Sequence, residues 1–122
     1  MFKLSQGEYV SAEYLEQTVT HSSAIQQAFV HGDSQQNYPV AIIVPDAAFF
    51  QGWAPQHGLS HILDDMPALV REMAVHDFIE SEVARLSQEH RLKGYELIKR
   101  IHLHPFPFDE ARDFLTPSLK LK

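Results

Sequence analysis

Residues 25–46 read IQQAFVHGDSQQNYPVAIIVPD, two apolar runs separated by a stretch of turn-forming residues. The first run, Ile25 to His31, and the second, Tyr38 to Val44, have the β-branched and aromatic composition of strands, and the near-continuous apolarity of the second marks it as strongly buried. GDSQQN between them is dense in turn formers, so the two strands are expected to pair antiparallel. Pro39 is tolerated near the start of the second strand, where its missing N–H breaks no interior ladder bond. Pro45 ends that strand, and Asp46 is placed to cap a short helix running to about His57 and Gly58.

Upstream, MFKLSQGEYV at residues 1–10 alternates Phe2 and Leu4 with Lys3 and Ser5, passes Gln6 and Gly7, and resumes with Glu8, Tyr9 and Val10. That pattern predicts a small hairpin of two short strands around a glycine turn. Ser11 is a capping residue by type, and Glu13 suits the positive end of a helix dipole. Ala12, Leu15 and Val19 share a face, so a helix is expected from Ser11 to about His21. Downstream of Asp64 and Asp65 the apolar residues fall into two stripes: Met66, Leu69, Val70 and Met73, then Val75, Phe78, Ile79, Val83 and Leu86. At ~100° per residue these stripes point to nearly opposite sides, which predicts two helices broken near Met73 to Val75. After Gly94, LIKRIHLH from Leu97 to His104 alternates as a third strand, ended by Pro105 and Pro107. The tail DFLTPSLKLK has no helical period and is expected to pack as an extended segment or loop.

A chain of 122 residues without internal repeats or low-complexity tracts is expected to fold as a single domain over 1–122. The expected class is α+β, a short N-terminal hairpin followed by a three-stranded sheet packed by helices. With 44% hydrophobic and 21% charged residues the composition is that of an ordinary soluble domain, and no apolar run approaches the ~20 residues of a membrane-spanning helix. Nothing reads as a signal peptide, so a cytoplasmic location is expected. The absence of cysteine removes disulfides, thiolate metal sites and cysteine nucleophiles. A formal charge of −6, with only Lys120 and Lys122 making a locally basic end, argues against a general affinity for nucleic acid.

Few residues stand out chemically. His102 and His104 are two apart on the expected third strand, a spacing that projects both from one face as two metal ligands would be. No further ligand is recognisable nearby by spacing, so no metal site is expected. Asp64 and Asp65 are adjacent, a spacing at which helical side chains do not face each other, so they read as a cap rather than paired acids. Gly7 has two readings: a turn glycine, or a place where a missing side chain lets a ligand approach the backbone. Lys120 and Lys122 alternate with Leu119 and Leu121, which sends both ammonium groups to one side of an extended tail. A solvated basic tail is the plain reading. Phe114, Leu115, Leu119 and Leu121 instead suggest a tail that docks and delivers a lysine.

Taken together, five stretches resemble long-chain fatty acid–CoA ligases: FKLSQGEYV at 2–10, the helix through Leu15 and Glu16, VAIIVPD at 40–46, RLKGYELIKRIHLHPFPF at 91–108 and LTPSLKLK at 115–122. Their order and spacing are similar to those of the family's C-terminal domain, within the wider adenylate-forming superfamily. The likeness covers the whole chain. It implies a mobile C-terminal lid whose partner is a large N-terminal adenylation domain, not part of this chain, that carries the fatty-acid pocket, most of the ATP site and the Mg2+ environment. It further implies ATP and CoA as substrates, acyl-CoA formation through acyl-AMP, Lys120 as the adenylation lysine, and Gln6, Gly7 and Glu8 as lining of the CoA pantetheine tunnel. Leu119 stands where many superfamily members carry glycine, as in the long-chain branch. The family's hinge residue falls upstream of Met1, which has two readings, a natural start or an internal methionine, and the arginine expected after the final lysine is absent. The chain alone is expected to be inactive and to hold no cofactor. The rival reading is a free-standing binding or regulatory module descended from the same domain.

Overall fold

In a computed structural model that describes residues 2–32, 34–35 and 37–106, the chain begins with β1 (Phe2–Lys3), β2 (Tyr9–Val10), α1 (Ala12–Val19), β3 (Ile25–His31) and β4 (Val40–Pro45). It continues through α2 (Ala47–Trp53), α3 (Met66–Leu69), α4 (Met73–Glu89) and β5 (Arg100–Leu103), with short 3₁₀ turns at Ala54–His57, Ser60–Ile62 and Gly94–Glu96. β1 and β2 form the expected hairpin, and β3, β4 and β5 form the expected three-stranded sheet in that order. β3 and β4 pair antiparallel from Ile25 opposite Pro45 to His31 opposite Val40, with a register shift between Ile25 and Gln27.

Two strand starts differ from the sequence reading, and the ends of the same strands shift by one residue each, to Pro45 and Leu103. β4 starts at Val40 rather than Tyr38, because Pro39 has no N–H to donate to the ladder. β5 starts at Arg100 rather than Leu97, because residues 94–96 close a 3₁₀ turn in which the Glu96 carboxylate accepts from the Lys93 N–H at 2.9 Å. β5 runs parallel to β4, placing Val40 opposite Arg100 and Ile43 opposite Leu103. A parallel neighbour needs a long crossover, and residues 46–99 supply it with three helices.

Helix starts follow the capping residues. Ser11 Oγ accepts from the Tyr14 N–H at 3.2 Å, Asp46 from Phe49 at 2.9 Å and Asp65 from Ala68 at 3.1 Å. Each such cap satisfies an N–H that the helix itself cannot pair. Gly58 stops the turn after α2 at φ +74°, a left-handed angle that suits glycine. The long apolar stretch does break into two helices, at residues 70–72, slightly before the expected place. Met73 joins neither stripe as a core residue; it opens α4 and is 76% exposed. Val75, Ile79, Val83 and Leu86 do form the buried face of α4.

The core lies where α1 and α4 meet the sheet. Leu15, Val19, Ile43, Val75 and Ile79 are completely buried there. α1 is pinned twice by side chains: Glu16 accepts from the Val30 N–H of β3 at 2.8 Å, and Ser22, just after the helix, donates to Glu82 of α4 at 2.7 Å. Phe49 and Phe50 of α2 pack on Phe78 of α4 at ring-centroid distances of 5.5 and 6.1 Å, close enough for favourable aromatic contact. The hairpin joins this core through Leu4 and Val10, each 1% exposed.

Candidate functional site

The hairpin is a two-residue ladder, Phe2 opposite Val10 and Lys3 opposite Tyr9, closed by a loop at Ser5, Gln6 and Gly7. Its closing bonds run from the Leu4 N–H to the Glu8 carbonyl at 2.8 Å and from the Gly7 N–H to the Leu4 carbonyl at 2.9 Å. Gly7 has φ +93°, which an L side chain resists, so the turn alone accounts for a glycine here. A Cβ built at Gly7 meets nothing within 4 Å among the described residues, so the glycine is not required by crowding inside the domain. Both sequence readings of Gly7 are thus consistent with its geometry: the angle needs glycine, and the space beside it is open.

Gln6, Gly7 and Glu8 all lie exposed at this tip. Gln6 Nε2 donates to the Asn37 carbonyl at 3.2 Å, which ties the tip to the connection between β3 and β4. Beside it the Lys3 ammonium sits 5.7 Å from the centroid of the Tyr9 ring, and Tyr9 is 62% exposed. The tip is therefore a polar, outward-facing backbone loop on a buried two-residue base. Such a loop can offer main-chain groups to a ligand arriving from outside the domain.

Lys120, together with Lys122 and the rest of residues 107–122, lies outside the described residues. His102 is exposed and His104 half-buried. Neither belongs to the one cluster of metal-ligating side chains among the described residues, formed by His76, Asp77 and Glu80 on α4. The sequence reading passed over that trio, whose signal is the HDFIE run at 76–80. His76 Nδ1 lies 3.6 Å from Glu80, its Nε2 lies 3.2 Å from the Ile101 carbonyl, and Asp77 and Glu80 are exposed. Asp64 and Asp65 serve separately, Asp65 as the cap of α3 and Asp64 as an acceptor for Gln51 at 3.2 Å.

Two carboxylates, Glu16 on α1 and Glu82 on α4, are perturbed in opposite directions. Burial pushes Glu16 above the ordinary carboxylate value, offset partly by its bond from Val30. The Arg85 guanidinium beside Glu82, with the Ser22 hydroxyl, holds Glu82 below it despite some desolvation. Both sit in contacts that fasten α1.

Over all 122 residues the chain is 41% identical to long chain acyl-CoA synthetase 3 of Arabidopsis thaliana and 37% identical to human long-chain-fatty-acid–CoA ligase 1. Its whole length is therefore similar to one part of long-chain acyl-CoA synthetases. The chain spans 18% of the Arabidopsis protein and 17% of the human one, so it corresponds to a limited part of these relatives. No protein-family model matches the chain. Among solved structures it is similar to the A-PCP didomain of carboxylic acid reductase from Segniliparus rugosus, solved with AMP, at TM-score 0.68 and 24% identity over 98% of this chain and 14% of that one. The adenylation domain of the carboxylate reductase from Mycobacterium chelonae follows at TM-score 0.67 and 26% identity, over 98% of this chain and 16% of that one. The mixed α/β fold, with hairpin and three-stranded sheet, matches the C-terminal domain of adenylate-forming enzymes. Among the described residues no helix is long and apolar enough to cross a membrane.

Proposed function

We propose that residues 1–122 act as the C-terminal lid of an AMP-forming long-chain fatty acid–CoA ligase, working with a large N-terminal adenylation domain. The observation that carries this reading is the whole-length similarity, 36–41% identity, to long-chain acyl-CoA synthetases of which the chain spans under a fifth. An exposed, glycine-tipped hairpin on a firmly packed sheet is the kind of part a lid can present to a neighbouring domain.

In the first half-reaction the fatty-acid carboxylate attacks the ATP α-phosphate, giving acyl-AMP and releasing pyrophosphate. Lys120 is the side chain assigned to this step. A compact cation on a flexible stem can hold carboxylate and phosphate oxygens together and offset the charge that builds between them. Mg2+ travels with ATP in the large domain, and no residue of this chain is assigned to it.

In the second half-reaction the CoA thiolate attacks the acyl carbonyl of acyl-AMP, forming the thioester and releasing AMP. The lid turns between the two steps and brings the hairpin to the site, so that one domain serves both. Gln6, Gly7 and Glu8 then line the pantetheine path, and the open space beside Gly7 leaves room for the thiol arm. On this reading the acyl pocket and most of the ATP site belong to the large domain, so the isolated chain should show no ATP–pyrophosphate exchange. Exchange by the purified 122-residue chain would overturn the lid reading. In the full-length enzyme, Lys120→Ala should slow adenylation about 100- to 1000-fold, by analogy with loss of one transition-state donor. Adenylation within twofold of wild type would remove Lys120 from the step.

A further inference from the structure

Gly32 is a second unusual glycine, for a reason opposite to that of Gly7. Its φ lies outside the left-handed region, so the backbone does not require glycine there. The neighbourhood does. A Cβ at Gly32 would stand 2.8 Å from Cδ1 of Phe2 and closer still to Cε1, separations that real side chains do not tolerate. The Phe2 ring lies against the bare Cα at the end of β3, and Phe2 packs on the core while its backbone pairs with Val10. A second tie, from Gln6 to the Asn37 carbonyl, holds the other end of the hairpin to the same connection.

We propose that Gly32 is the positioning residue of the hairpin. Its missing side chain seats Phe2 at the base, the Gln6–Asn37 bond holds the tip, and the two contacts together fix where Gly7 stands relative to the sheet. A side chain at position 32 displaces the Phe2 ring, and because one side of that half-buried ring packs on the core, β1 is proposed to shift with it. The consequence for catalysis rests on the assignment of Gly7 to the CoA path. A loop that must meet a thiol arm is sensitive to placement, since a shift of the order of 1 Å can cost about a hundredfold.

Two measurements test this. In the 122-residue chain, Gly32→Ala should lower the folding equilibrium constant roughly tenfold when Phe2 is present and less than about twofold in a Phe2→Ala background, read by urea unfolding. Equal losses in both backgrounds would overturn the Phe2–Gly32 contact. In the full-length enzyme, Gly32→Ala should slow thioester formation about 10- to 100-fold while adenylation stays within about twofold. Parallel loss of both half-reactions, or loss of neither, would overturn the positioning role. Failure of the CoA assignment reads differently: Gly7→Leu would then spare thioester formation, whereas the unfolding cycle would still show whether Gly32 seats Phe2.

Discussion

The hairpin at residues 2–10 and the sheet of β3, β4 and β5 are held together by different means. Leu4 and Val10 are the hairpin's buried core residues and Phe2 packs half-buried against that core, its ladder is two residue pairs long, and residues 5–9 face outward. β4 is paired on both edges, and its Ala41, Ile43 and Val44 are almost wholly buried. The sheet is therefore where stability is concentrated, and the hairpin is where exposed backbone is offered at little cost to the fold. The lid role proposed for this chain needs both: a rigid body to turn as a unit, and a protruding part to meet the substrate.

Substitutions at comparable positions can break that contrast. The largest effect is expected at Ile43, whose removal to alanine leaves a cavity at the centre of β4 and should cost about 2–5 kcal/mol, measured by urea unfolding. Tyr9→Ala in the hairpin should change stability by no more than about 0.5 kcal/mol, because Tyr9 is 62% exposed. Similar costs at the two sites would show that the hairpin is part of the stable core. Gly7→Ala is intermediate, about 1–2 kcal/mol, since the methyl group meets no neighbour and only the left-handed backbone angle opposes it. A larger loss would reveal packing at the tip.

The smallest effect concerns pH. Glu16 has a folded pKa above its ordinary value of 4.5, so its contribution to stability is fully present below that value and lost as pH rises through the folded pKa. Glu82, with a lowered folded pKa, contributes stability above 4.5 that is lost as pH falls through its folded value. Glu16→Gln keeps an oxygen to accept from Val30 and removes the buried charge. It should leave stability at pH 7 equal or slightly higher and reduce the loss between pH 4 and 7. Marked destabilisation at pH 7 would mean that the carboxylate charge itself holds α1 to β3.

Much of the sheet was legible in the sequence because strand composition and turn residues agree: Ile25 to His31 is a strand to the residue, and Asp46 caps the helix that follows β4. The parallel setting of β5 was not legible, since RIHL carries no record of which way its partner runs and the crossover is set by how α2, α3 and α4 pack. Met73 was misplaced because stripe counting assigns a face to every apolar residue, including one that opens a helix in solvent. At the site, Gly7 announced a turn but could not show the open space beside it. Gly32 was hidden more completely: within GDSQQN it passes for an ordinary turn glycine, and only the folded chain brings Phe2 onto it from 30 positions away.

The contrast between a stabilising sheet and a working hairpin is tested most directly by separating the half-reactions of the full-length enzyme carrying Gly7→Leu, with Gly7→Ala as the control for backbone strain. Adenylation, followed by ATP–pyrophosphate exchange, should be close to wild type in both variants. Thioester formation from preformed acyl-AMP and CoA should be depressed in the leucine variant well beyond the alanine variant, because leucine alone fills the space beside the turn. Equal loss of both half-reactions with leucine, or equal loss of thioester formation with leucine and alanine, would show that Gly7 serves only the turn.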